Sequence, residues 1–182
     1  MVMMYVLIEA GEVIDGPRAL PRDWRHVSSL DGLSEEELAP LGWYPCPGEP
    51  PDYDPAWQTR SGPVAVADGA GWRAEWTVAG RALEEVQAAR LEAVRAEAGR
   101  RILAVAPEFR QRNLTARAVE IVMEHGADPA DWPGEVQAEV AAGMAVWAAI
   151  KAIRAASDVA EAAILAATTA EDAGTVTADW PE

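Results

Sequence analysis

Cys46, His26 and His125 are the side chains with the most versatile chemistry, and their spacing argues against its use. A zinc site needs three or four ligands at compatible spacing, which two distant His and one Cys do not supply. A Cys–His nucleophilic pair needs a thiol of lowered pKa. Cys46 sits between Pro45 and Pro47 with no helix start or basic neighbour to lower it, so it reads as a structural thiol. Being the single Cys, it forms no intrachain disulfide. Gly69-Ala70-Gly71 lies between two expected strands and reads as a hairpin turn, not a phosphate loop. With 30 acidic residues in the chain, some close carboxylate pair is inevitable, so sequence proximity says nothing about acid–base catalysis. The expectation is a non-enzymatic protein with no catalytic set, no cofactor and no metal.

Two residue classes remain as contact candidates. Arg90, Arg95, Arg100, Arg101, Arg110, Arg112 and Arg117 place seven of the fifteen basic residues in one stretch. They form either a docking stripe or a solvated helix face paired with Glu92, Glu97, Glu108 and Glu120. Glu97–Arg101 and Glu108–Arg112 have the favoured i,i+4 order. The paired face is favoured over nucleic-acid binding, whereas a protein partner stays open. The second class is aromatic: eight Trp against three Tyr and one Phe, with five of the Trp before residue 80. Trp72 and Trp76 read as core. Trp43, Tyr44, Tyr53 and Trp57 border a proline-rich loop and read as contact surface.

Elements that must position these residues fall into two halves. Residues 1–80 read as a β-rich module with short strands at Met3–Ile8, Glu12–Ile14 and Trp24–Val27, broken by Gly16-Pro17 and Pro21. Ser34 to Glu37 is a capping box that opens a short helix stopped by Pro40 and Gly42. Pro47 to Pro55 is a stiff exposed loop. Pro63–Ala67 and Trp72–Val78 form a hairpin, with Trp72, Ala74, Trp76 and Val78 on its apolar face. Residues 81–182 read as helical: Arg81–Ala106, ended or kinked by Pro107, then Pro107 or Glu108 to Glu124 with Gly126 as its stop, then Gly134–Ala156. Ser157-Asp158 caps a fourth segment to Ala167, and the end reads as a frayed tail with an exposed Trp180. The fold class is α+β.

A net charge of −15 repels phosphates, so no nucleic acid is expected as partner. The apolar start lacks the basic region of a signal peptide. No apolar run approaches the roughly 20 residues of a bilayer span, because Lys151 and Arg154 interrupt the longest. A soluble protein is expected, with no membrane contact.

Three stretches stand out in order: LGWYP with PPDYDP and Trp57-Gln58, then GRRILAVAPEFRQRNLTARAVEI from Gly99, then WAAIKAIRAASDVAEAAI from Trp147. Together they resemble small tail-fibre-region proteins of tailed bacteriophages. Phe109-Arg110 departs from the Trp-Lys usual there. The resemblance implies a structural protein of the tail tip, baseplate or fibre base, made in the host bacterial cytoplasm and retained in the virion tail. Its partners would be other tail proteins, with a homotrimer expected from tail symmetry. Trp43, Tyr44, Tyr53 and Asp54 would define the fold or make contacts. Rival readings are a fibre-assembly chaperone absent from the virion, and a host-glycan-binding adhesin using its Trp and Tyr.

Overall fold

The computed structural model describes residues 3–181; Met1, Val2 and Glu182, read above as part of the apolar start and the tail, lie outside them. The fold is α+β, with strands in the N-terminal region and long helices in the C-terminal half. The chain divides into two compact units, Met1–Gly80 and Arg81–Glu182.

In the first unit β1 (Tyr5–Glu9) lies between β2 (Glu12–Arg18) and β5 (Trp43–Pro45), antiparallel to both. Successive strand residues point to opposite faces, and both faces of β1 are covered. Leu7, opposite Trp43, faces a cluster with Leu30 and Leu38. Leu38 comes from α1 (Glu35–Leu38), and Trp24 and Val27 join from the small ladder of β3 (Asp23–Trp24) and β4 (Val27–Ser28). Val6 faces the other way, onto Cys46 and Ala74. Ala74, Trp72 and Trp76 belong to β7 (Gly71–Gly80), which pairs with β6 (Gln58–Asp68) around the expected Gly69-Ala70 turn. The alternation of Trp72, Ala74 and Trp76 inward with Arg73 and Thr77 outward is as the sequence predicts.

Gly16-Pro17 does not break the chain. Both residues lie inside β2, where the register with β1 shifts between Leu7 and Tyr5 and Pro17 is buried. Gly16 is required there, because a Cβ would stand 2.4 Å from the Tyr5 carbonyl oxygen. Trp24 to Val27 is likewise two short strands and a turn, not one strand. The Glu37 carboxylate accepts from the Ser34 amide and hydroxyl, both at 2.8 Å, which holds the start of α1 and lowers the Glu37 pKa.

In the second unit α2 (Leu83–Val105) and α4 (Gly134–Ala166) run in opposite senses. The Gln87 amide, near the start of α2, donates to the Ile164 carbonyl at 3.0 Å near the end of α4. Val94 packs on Ala160 and Ile164 between them. α3 (Glu108–His125) begins after the Pro107 break, and α5 (Ala170–Thr175) follows α4.

Two sequence expectations fail here. Ser157-Asp158 caps nothing: α4 runs through it unbroken, and the buried Ser157 hydroxyl donates to Glu161 within the helix at 3.1 Å. Nor is the end a frayed tail. Ala173 is buried, the Arg90 guanidinium donates to the Val176 carbonyl, and Val176, Ala178 and Trp180 pack on the α2–α4 core. Arg90 is the anchor for this strap.

Replacing Trp43 by Ala should remove about 3–5 kcal/mol from the first unit. Denaturant unfolding followed by tryptophan fluorescence measures that loss.

Candidate functional site

The twelve contact candidates take different roles within their own units. Trp43 is not contact surface: it is 0% exposed. Trp24 meets it edge to face at 5.7 Å, and Arg18 lies 5.9 Å from its ring centre. The indole N–H groups of Trp24 and Trp43 are buried without an acceptor among the described residues. Each such group costs about 1–3 kcal/mol, which the ring packing must exceed. Tyr44, the next residue on β5, points outward and is exposed.

The proline-rich loop is closed by its own residues. The Asp54 carboxylate accepts the Ala56 amide at 2.9 Å, an Asx turn, while the Asp54 amide donates to the Gln58 side chain at 2.8 Å. Arg60 donates to the Pro51 carbonyl at 3.0 Å and lies 4.6 Å over the Tyr53 ring. Trp57 is half-buried. Asp54 therefore shapes the loop, whereas one side of Tyr53 stays open. The loop is also docked: a Cβ on Gly48 would stand 2.5 Å from the Ala74 carbonyl oxygen.

Most of the Arg cluster is spent on internal pairing. Arg95 binds Glu161 at 2.6 Å, and Arg100 and Arg101 share Glu97 at 2.6 and 2.7 Å. Arg101 also lies 5.2 Å from the Trp180 ring centre. Arg117 bridges to Glu139 of α4 at 3.0 Å. Hydrogen bonds from Arg100 and then Arg101 hold the Glu97 carboxyl at about 2 instead of 4.5. Arg110 and Arg112 differ: both are exposed on α3 with no ion pair among the described residues. The expected Glu108–Arg112 pair does not form.

Cys46 is buried, which pushes its thiol pKa up, and its amide donates to the Met4 carbonyl at 2.8 Å. His26 is exposed on the β3–β4 turn, whose Trp24 and Val27 cover the opposite sheet face, and His125 belongs to the second unit. Among the described residues no group of three His, Cys, Asp or Glu is placed to hold a metal.

The feature that sequence reasoning missed is an uncovered apolar surface on the helices. α3 leaves Phe109, Val119 and Met123 at 62%, 57% and 81% exposure. α4 leaves Met144, Val159 and Leu165 at 59%, 72% and 62%. The inner contact between these helices is close, with Leu114 of α3 over Gly143 where a Cβ would stand 3.4 Å from the leucine methyl. By length and composition alone α4 is long and apolar enough to cross a membrane, with Lys151 and Arg154 lying within it. Of this apolar stretch 17% is buried.

No protein-family model, curated protein or solved structure matches the chain.

The depressed Glu97 pKa means that its pairing stabilises α2 fully above pH 4.5 and is lost as pH falls toward 2. An NMR titration of the Glu97 carboxyl should show a midpoint near 2, and Arg100→Gln with Arg101→Gln should raise it.

Proposed function

We propose that this protein is a structural component of a phage tail, at the tail tip, baseplate or fibre attachment, and that it works through protein–protein contacts. The carrying observation is the apolar surface left open on α3, headed by Phe109, Val119 and Met123. Large exposed apolar side chains grouped on helices are the usual mark of a surface that another molecule covers.

Local roles of the tail-protein-like segments support the same reading. LGWYP supplies β5 and the buried Trp43, and PPDYDP supplies the self-closed loop around Asp54. The stretch from Gly99 to Ile121 spans the end of α2, the Pro107 break and most of α3. The motifs thus shape local structure, as segments of a scaffold protein would. Other tail proteins are the partners this reading assigns.

Mass spectrometry of purified, nuclease-treated phage particles tests it. A fixed low copy number relative to the major tail proteins is the expected result. Absence from particles, with presence in infected-cell lysate bound to unassembled fibre, would leave the assembly chaperone in its place.

A further inference from the structure

We propose that the open face of α4 is a homodimer interface, in which a second copy of this chain packs antiparallel along it about a twofold axis. This inference is independent of where the protein works.

The face has a regular seam. Ala141, Ala145, Ala148, Ala152, Ala155 and Val159 follow one another at intervals of four and three, and all are exposed. That is the heptad spacing of a helix–helix seam, and its small side chains let the axes approach to about 8 Å. The strap Thr177–Pro181 walls one side of this groove, leaving Ala152, Ala155 and Val159 open.

Charge and size along one edge name the occupant. Met144, Lys151, Asp158 and Leu165 stand seven residues apart on the same edge, reading apolar, positive, negative, apolar. All four are exposed, and neither Lys151 nor Asp158 has an ion-pair partner among the described residues. Such a row is complementary to its own reverse. In an antiparallel pair, residues on the same edge of the two helices meet. Ala152 then faces Ala155 of the second copy, Lys151 meets Asp158 twice, and Met144 meets Leu165 twice. The opposite edge of the helix carries Ala142, Ala149, Ala156 and Ala163, and the strap beside it brings one charge, Asp179. A parallel or threefold seam sets the charged row against those alanines and Asp179, and leaves Asp158 with no cation to meet. The pattern therefore selects a second copy, reversed, in an isologous contact. It departs from the trimer that the tail-protein resemblance implies.

Sedimentation velocity of the full chain across a concentration series tests this, with circular dichroism checking the fold of each variant. The wild type should dimerise, more weakly at high salt. Lys151→Glu and Asp158→Lys should each weaken the dimer by about tenfold or more, since each places like charges together at two symmetric points. The double variant should return to within about threefold of wild type, because the reversed row is again complementary. Val159→Arg should give a folded monomer. A wild type that stays monomeric, forms a trimer, or floats with phosphatidylcholine vesicles as a monomer would overturn the proposal. So would a double variant no tighter than the single ones.

Discussion

Partial cover of α4 is the constraint on which the helical unit depends, and α2, α3 and the C-terminal strap each supply part of it. The helix is 33 residues long and rich in Ala. α2 covers one edge through Ile153, Ala160 and Ile164, which are nearly or fully buried. Arg117 and Leu114 bring α3 against a second edge, at Glu139 and Gly143. The C-terminal strap, held by Arg90 and Arg101, lies beside Ala156 and Ala160. A helix has more surface than these neighbours cover, and alanine gains too little from burial to close the remaining side by local collapse. The exposed seam is what that geometry leaves, and its self-complementary row of charges gives it a partner.

The β-rich unit solves a related problem differently. A three-stranded sheet with two apolar faces is unstable alone, because each face needs a cover. The segment between β2 and β5 folds over one face, bringing Leu30, Leu38 and Trp24 onto Leu7 and Trp43. The β6–β7 hairpin covers the other face with Ala74, Trp72 and Trp76, against Val6 and Cys46. Gly48 and Gly16 permit the close backbone approaches that this layering demands. The aromatic residues are thus spent mainly on closing a small module, which is why Trp43 offers no contact surface.

Signals that act locally were readable from the residues. The Trp72–Val78 alternation, the Gly69-Ala70 turn, the Pro107 break and the Gly126 stop all appear where period and backbone chemistry place them. Signals that depend on distant neighbours were not. Gly16-Pro17 punctuates a chain in isolation, yet here an irregular register with β1 accommodates it. Ser157-Asp158 looks like a cap because both residues favour caps, but packing on α2 carries the helix through them. Trp180 looks free at the end of a polar segment until Arg101 and the groove beside α2 are present. The seam on α4 is visible as a heptad of alanines, but alanine is so good a helix former that its spacing passes for filler.

Lys151 is the single lysine, so its amine is a nearly unique chemical reporter on this seam. Zero-length carbodiimide coupling of a mixture of unlabelled and nitrogen-15-labelled protein, read by peptide mass spectrometry, identifies the carboxylate beside it. The twofold arrangement predicts a Lys151–Asp158 link between labelled and unlabelled copies. Links confined to one chain, or to carboxylates away from α4, would contradict it.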